Sequence, residues 1–304
     1  MTTPAKPYRD FADFLAEHFA TKMQKISVNA GLSCPNRDGT IGRGGCTYCN
    51  NQSFNPDYCT PSKSITVQLE EGKHFFGRKY PQMRYLAYFQ AYTNTHAATE
   101  RLLSLYHEAL AVEGVDGLII GTRPDCMPEP LLRELSAIRN GGKFVMVEYG
   151  AESAHNTTLE CINRCHTWEQ TADAVHRTAA AGIPVGLHFI NGLPGETDEM
   201  ILTTVDCINH LPVDTVKFHQ LKLICGTRME REVSAGLYDI RRWTADEYID
   251  LCVKIVHRLR SDIAIERFVS QSPESLLVFP RWGLKNYQFA DRLRSRLTKR
   301  MTKD

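Results

Sequence analysis

Residues 27–54 read SVNAGLSCPNRDGTIGRGGCTYCNNQSF and contain three cysteines, Cys34, Cys46 and Cys49. Eleven residues separate the first two cysteines, and two separate the last two. The loop between them is rich in Gly, Asn, Asp and Arg, so it can wrap around a small group without a core of its own. Thiolates this close in sequence favour a site for a soft metal. Because the stretch begins in a strand-like run, the sequence places this site at the end of the first strand.

The number of cysteines narrows the kind of metal site. A Cys-x-x-Cys pair with a third cysteine is compatible with zinc, but structural zinc takes four ligands, and Cys59 is the only nearby fourth thiol. A [4Fe-4S] cube also normally takes four cysteines. Three ligands leave one iron open, and an open metal position is typical of a reactive site. On spacing alone, an iron–sulfur cluster, zinc and inert thiols all stay open.

The composition sets the context of this loop. The chain has 304 residues, of which 42% are hydrophobic and 23% charged, and this ordinary globular composition excludes collagen and wholesale disorder. It has no run of about 20 apolar residues that would predict a transmembrane helix. Acidic residues replace the apolar core that a signal peptide needs, so we expect a cytoplasmic protein with reduced thiols. A formal net charge of +1 leaves nucleic-acid binding to local patches.

Strand-like and helical runs alternate along the chain. The β-branched and aromatic content predicts strands at residues 25–29, 84–90, 117–121, 143–149, 184–190 and 215–221. The apolar spacing predicts helices at residues 9–23, 65–79, 98–112, 129–139, 167–181, 197–211 and 244–260. Six strand–helix units are too few for the usual eightfold barrel. We therefore predict an α/β fold, a partial (β/α)6 TIM-like barrel, with a doubly wound open sheet as the alternative.

The predicted domain organisation has three parts. Residues 1–24 form an N-terminal helical extension, residues 25–270 form the core barrel, and residues 271–304 form a basic C-terminal helical extension. The partial barrel and the doubly wound open sheet both place functional loops at the carboxyl ends of the strands.

Five further motifs accompany the three cysteines. They are FQAYTNTH (89–96), GTRPDC (121–126), EYGAES (148–153), INRCHT (162–167) and INGLPGET (190–197). In this combination and order, the motifs resemble those of the radical S-adenosylmethionine (SAM) superfamily and of its YhcC-like family. That family is similar to the radical SAM half of the Elongator catalytic subunit. The resemblance covers about residues 15–270, although the gap between the first two cysteines is longer than the superfamily's commonest one.

The resemblance implies a radical SAM enzyme with two cofactors, a [4Fe-4S] cluster and SAM. Cys34, Cys46 and Cys49 match the cluster ligands, and the open iron would chelate SAM. An electron from the cluster would cleave SAM and generate a 5′-deoxyadenosyl radical, which abstracts a hydrogen atom from the substrate. This chemistry belongs to the cofactors, while the protein supplies orientation and dry walls. A flavodoxin- or ferredoxin-type protein is the implied electron donor.

The resemblance also implies SAM contacts at the ends of the strands. Tyr48 matches the aromatic residue near the adenine, Gln90 lies where the amino group is held, and Arg164 matches an arginine that pairs with the carboxylate. The other implied cofactor contacts are Glu148, Glu152, Ser153, Ile190, Asn191, Gly192 and Leu221. Plainer interpretations stay open: Tyr48 as a loop anchor, Glu148 as the partner of a neighbouring cation, and Arg164 as an exposed arginine at a helix start.

Two further residues lie outside these cofactor contacts. Cys126, after the third predicted strand, is a candidate for a catalytic hydrogen donor, and a plain loop cysteine is the alternative because reactivity requires a lowered pKa. His188 lies on an apolar strand, where we expect a hydrogen-bonded core histidine.

The resemblance points to a reaction class more directly than to a substrate. The Elongator-like relatives modify the wobble uridine of tRNA, so tRNA is the implied partner. Residues 281–304 carry eight Lys or Arg against two Asp, a pattern that can dock RNA by counterion release or simply form a solvated helix face. A protein or small-molecule substrate is the second hypothesis. A non-catalytic, metal-stabilised RNA-binding module is the third.

Overall fold

A curled parallel sheet lies at the centre of the computed structural model, which describes residues 6–51, 55–77 and 83–301. The strands are β1 (Met23–Val28), β2 (Arg84–Phe89), β3 (Val115–Thr122), β4 (Phe144–Glu152), β5 (Val185–Asn191), β6 (Thr215–Gln220), β7 (Leu223–Ile224), β8 (Ala264–Arg267) and β9 (Leu277–Phe279). Seven of these described strands form one sheet in the order β1-β2-β3-β4-β5-β6-β8, and all neighbours are parallel. Strands β7 and β9 form a separate antiparallel pair.

Helices connect the strands and cover the outer face of the sheet. They are α1 (Phe11–His18), α2 (Pro35–Asp38), α3 (Ile65–Gly77), α4 (Thr99–Ala111), α5 (Glu129–Asn140), α6 (Asn156–Cys161), α7 (Trp168–Ala180), α8 (Asp198–Asn209), α9 (Arg228–Ser234), α10 (Ala245–Arg258) and α11 (Asn286–Met301). Capping boxes start α7 and α10, where Thr167 pairs with Gln170 and Thr244 pairs with Glu247. The outer side chains of β3 and β4 pack on helices and the inner ones face the barrel interior, so both strands are almost continuously buried.

The predicted α/β half-barrel is confirmed, and all six predicted strands are present. The sequence analysis missed a seventh strand, β8. This strand reads AIER, and its two apolar residues are too few to give a strand-length pattern. It pairs with β6 on one side, while Asp10 makes an isolated parallel bridge to Ile265 on the other.

The two edges of the sheet approach each other inside the barrel. Lys25 on the edge strand β1 contacts Glu266 on the opposite edge strand β8, with 2.6 Å between Lys25 Nζ and Glu266 Oε2. The seven strands therefore form a half-barrel rather than an open, flat sheet. This curvature brings the carboxyl ends of distant strands around a common space.

The N-terminal helix is shorter than predicted and closes the amino-terminal end of the barrel. The prediction of a helix over 9–23 is wrong in its second half, because the backbone becomes extended at Phe19 and Met23 already begins β1. The helical spacing continued in the sequence because Phe14, Phe19 and Met23 pack in one cluster with barrel residues such as Phe144. The periodicity thus identified a shared apolar core that spans a helix and a strand.

The basic C-terminal segment forms α11, which packs on α10. Phe289, Leu293 and Leu297 are buried, so the helix has the apolar side expected from its sequence. None of the helices in the described part of the chain combines the length and apolar character needed to span a membrane.

We predict that Phe14→Ala destabilises the fold by about 3–5 kcal/mol, because it removes a buried ring from the closed end of the barrel. The midpoint of urea unfolding, followed by circular dichroism, measures this effect. Phe75→Ala is the matched control, since Phe75 is 67% exposed and its truncation should change stability by no more than about 0.5 kcal/mol. Equal losses in both variants would contradict the closing role of α1.

Candidate active site

The carboxyl ends of the strands surround a cavity with about 1330 Å³ of space free of protein atoms, part of it open to solvent. Its lining comes from the loop after β1 and from the ends of β2, β3, β4, β5, β6 and β8.

The predicted metal ligands lie together in this cavity. Cys34, Cys46 and Cys49 all contribute to its wall. Cys34 ends the extended chain before α2, which begins at Pro35, a residue suited to the first helical position. The Cys-x-x-Cys segment forms a tight turn in which Cys49 N donates to Cys46 O at 3.1 Å.

The cysteine loop is held by the segment after α6, which carries the INRCHT motif. Thr47 N donates to Ile162 O at 3.0 Å, and Asn36 Nδ2 donates to Asn163 O at 2.6 Å. A side chain at Gly42 would meet Asn36 Oδ1 at 2.2 Å, so glycine is required for this close approach. Two motifs that are distant in sequence are therefore parts of one structural unit.

The donor set fits a three-thiolate iron–sulfur cluster. Arg164 Nη1 and Asn36 Nδ2 point at Cys46 Sγ, at 3.6 and 3.7 Å, as expected for donors that support a ligating sulfur. The described residues hold no group of three or more His, Cys, Asp or Glu placed to hold a metal ion. A [4Fe-4S] cube does not require its cysteines to converge on a single metal ion, because each cysteine binds a different iron of the cube. Cys59, the possible fourth zinc ligand, is buried elsewhere and does not line the cavity.

Arg164 and Glu152 lie side by side next to the cysteine loop. Arg164 follows α6 and is only 6% exposed, so the alternative of an exposed arginine at a helix start is wrong. Its Nη2 donates to Gly150 O at 2.5 Å and lies 3.5 Å from Glu152 Oε1, while its buried Nε has no partner. Glu152 has a φ of +67°, an uncommon conformation for a non-glycine residue that tends to occur at functional sites. Both residues line the cavity and are available to a ligand.

The other predicted cofactor contacts divide into two groups. Tyr48, Gln90, Ile190 and Leu221 line the cavity, and Gln90 Oε1 accepts from Ser27 Oγ at 3.1 Å.

Ser153, Asn191 and Gly192 are not part of the cavity lining. Ser153 Oγ donates to Glu196, and Asn191 Nδ2 donates to Tyr248 Oη at 3.1 Å. Gly192 has a φ of +88° and packs so closely on Trp243 that a side chain would clash. These three residues lie at the ends of β4 and β5 and make their contacts outside the cavity lining.

Cys126 lies beside the cavity rather than in its lining. Burial raises the pKa of its thiol to about 12, and the thiol lies 3.7 Å from Asp125 Oδ1. Asp125 also forms a two-point ion pair with Arg123, at 2.9 and 2.8 Å. Cys126 is thus a protonated thiol at neutral pH, and its role as a hydrogen donor stays a prediction.

The floor of the cavity is a buried network of charges. Glu148 lies 2.7 Å from Lys25 Nζ, 3.0 Å from Lys217 Nζ and 2.8 Å from His188 Nε2. Burial alone would raise the pKa of Glu148, but Lys217, Lys25 and His188 lower it well below its ordinary value. Burial lowers the pKa of Lys217 to about 8 against the opposing effect of Glu148 and Glu266. Glu148 therefore lines the cavity as the paired carboxylate of the plainer interpretation, and His188 is hydrogen-bonded as expected.

Sequence reasoning missed several cavity residues: Arg37, Tyr88, His219, Lys222 and Arg267. Tyr88 and His219 lie within predicted strands, and the alternation of side chains along a strand could have assigned them to a face. Arg267 could not be found in this way, because β8 itself was not recognised.

Comparison with known proteins decides the family. The model of the radical SAM superfamily matches residues 36–208, and a radical SAM C-terminal domain matches residues 213–299. The chain belongs to the radical SAM superfamily. Cys46 and Cys49 lie within the first match, and Cys34 lies just before it.

Relatives of similar length support this membership. The chain is 31% identical to Bacillus subtilis YtqA, over 97% of this chain and 91% of that protein. It is 35% identical to Escherichia coli YhcC, over 90% of this chain and 86% of that protein. The solved structure of Methanocaldococcus infernus Elp3 superposes with a TM-score of 0.65 at 19% identity, over 93% of this chain and 63% of that longer chain. This last likeness shows a shared fold.

The protein is therefore a radical SAM enzyme that uses a [4Fe-4S] cluster and SAM. When bound, these cofactors supply the reductive cleavage of SAM. Cys34, Cys46 and Cys49 are the residues that would hold the cluster, and the hydrogen bonds from Thr47 and Asn36 fix their loop. The half-barrel walls surround the space in which these cofactors would react. This membership excludes the hypothesis of a non-catalytic module.

We predict that Cys46→Ala abolishes cluster binding, because a cube with only two thiolate ligands and an open iron is poorly held. Iron and sulfide analysis after anaerobic reconstitution should give about four of each per wild-type chain and almost none for the variant. Cys225→Ala is the matched control, since this exposed cysteine is distant in sequence from the three ligands and should leave the cluster content unchanged. Full iron content in Cys46→Ala would refute the ligand assignment.

A second prediction concerns Glu196, which accepts a hydrogen bond from Ser153 behind the cavity wall. Burial raises the pKa of Glu196 from 4.5 to about 7. Its contribution to stability is therefore complete below about pH 4.5 and is lost as the pH rises through about 7. We expect Glu196→Gln to remove this loss, which amounts to at most about 3 kcal/mol for such a shift.

Urea unfolding of both proteins between pH 5 and pH 8 measures this effect. Glu199→Gln on the exposed first turn of α8 is the control, and it should retain the wild-type pH dependence. Parallel pH profiles for the wild type and Glu196→Gln would contradict the prediction.

Proposed function

We propose that this radical SAM enzyme modifies the wobble uridine of tRNA, with a flavodoxin- or ferredoxin-type protein as its electron donor. The observation that carries the proposal is the surplus of positive charge around an open cavity on the catalytic face. The resemblance to the radical SAM half of the Elongator catalytic subunit supports the choice of a uridine.

The surplus consists of cations that have no carboxylate partner. Arg123 is neutralised by Asp125, and Arg164 lies beside Glu152. Among the described residues, the cavity-lining cations Arg37, Lys222 and Arg267 make no ion pair with a carboxylate. A cavity with this balance favours an anionic substrate, and RNA carries one negative charge per nucleotide.

The basic C-terminal helix contributes less than its sequence indicated. Arg296 pairs with Asp246 and Asp250, and Arg294 lies near Asp10 and Asp291. Of the tail's eight cations, Lys303 lies outside the described residues, and the side chain of Arg300 is not described. The cavity rim therefore supports the proposal more strongly than α11 does.

The test is mass spectrometry of tRNA nucleosides from cells that lack the gene. We expect a modified wobble uridine to disappear, to return with the wild-type gene, and to stay absent with Cys46→Ala. Cys225→Ala serves as the matched control and should restore it.

An unchanged uridine profile would overturn the proposal. If a small metabolite or a peptide accumulates unmodified in the same cells, the second hypothesis, a non-RNA substrate, replaces it.

A further inference from the structure

Two of the unpaired cations come from neighbouring strands of the sheet, β6 and β8. Lys222 follows the end of β6, and Arg267 is the last residue of β8. Strand β8 is the far edge of the sheet, whereas the cysteine loop follows β1 at the other edge. Both side chains line the cavity.

Neither cation is neutralised by its surroundings. Lys222 Nζ donates to Gln271 O at 2.9 Å and to Ser272 Oγ, both uncharged acceptors. Within the described residues, the Arg267 side chain makes no hydrogen bond, and its Nε is buried without a partner. Arg267 faces no free carboxylate, because the adjacent Glu266 is bound to Lys25 and Lys217.

The two charges also act on each other. Burial and, as the smaller effect, the nearby Arg267 guanidinium together lower the pKa of Lys222 to about 8. Leaving two like charges unpaired in a partly buried wall is unfavourable, and an anion with several acceptor oxygens would remove the penalty. A guanidinium matches the two oxygens of a phosphate or carboxylate, and an ammonium adds a point charge.

Other cations of the cavity accompany the implied cofactor groups. Arg37 donates to Cys49 O, and Arg164 Nη1 points at Cys46 Sγ. Arg164 also matches the partner of the SAM carboxylate. The substrate is therefore the source to which we look for an anion at Lys222 and Arg267.

We infer that Lys222 and Arg267 form an oxyanion site that binds a phosphate or carboxylate of the substrate and so orients it in the cavity. The inference rests on the proposed function in one respect: for a uridine in RNA, the oxyanion is a phosphate next to the target nucleoside. Lys222 and Arg267 are then specificity-determining residues for the reaction.

The test measures binding of defined probes to the reconstituted holoenzyme by isothermal titration calorimetry at constant ionic strength. The probes are uridine 5′-monophosphate, uridine, inorganic phosphate and acetate. We expect the wild type to bind uridine 5′-monophosphate at least tenfold more tightly than uridine. Lys222→Gln and Arg267→Gln should each lose most of this preference, whereas Lys222→Arg should retain it.

Lys254→Gln and Arg133→Gln are matched controls that remove one exposed cation of each type outside the cavity. Both should keep the wild-type preference. Iron content and the urea midpoint show whether each variant is folded and loaded, so that a binding loss is interpretable.

The outcomes separate this inference from the proposed function. Equal binding of uridine 5′-monophosphate and uridine by the wild type overturns the oxyanion site but leaves a uridine substrate in place. Binding of phosphate or acetate through Lys222 and Arg267, without binding of either nucleoside probe, supports the site and counts against uridine. Unchanged preference in both Gln variants overturns the inference.

Discussion

The ion-pair network across the barrel is the interaction on which the shape of the cavity depends. Lys25 and Lys217 each bridge Glu148 and Glu266, so β1, β4, β6 and β8 are tied together below the cavity. Buried ion pairs add little net stability compared with apolar packing, but removing one partner leaves an uncompensated charge and costs about 3–5 kcal/mol. The network thus makes a more open sheet unfavourable. Because the sheet stays curled, the loops after its two edge strands face each other.

The sequence predicted the elements whose signal lies in neighbouring residues. The long parallel strands are almost fully buried, so their apolar runs were easy to recognise. The cysteine spacing predicted a metal-binding loop, and the structure places its three cysteines in one cavity. Strand β8 was not recognisable, because its second half consists of Glu266 and Arg267, whose roles depend on partners distant in sequence. The end of α1 was misplaced because Met23 continues a helical spacing while lying on a strand. Both failures come from tertiary contacts that a local pattern does not contain.

Within the site, too, local signals were predictive, whereas tertiary contacts could not be predicted. Cys34, Cys46 and Cys49 were predicted as ligands from sequence alone because cysteine binds soft metals, and all three line the cavity. The placement of Arg164 depended on the turn after α6, and the INRCHT motif became intelligible only as the support for the cysteine loop. Ser153 and Asn191 lie within recognised motifs, yet their side chains turn away from the cavity towards Glu196 and Tyr248. A motif therefore located the right loops but did not show which side chains face the cavity.

The charges that line the cavity are not all balanced. The pairs on the floor are internally neutral, and the cations near the cysteine loop face the thiolates that hold the cluster. On the wall formed by Lys222 and Arg267, no ion pair with a carboxylate of the described residues balances the charge. Keeping such charge unpaired in a partly buried wall is unfavourable, and this penalty is the physical basis for an anionic occupant. A substrate held there by its anion would be fixed inside the same cavity that the cysteines line.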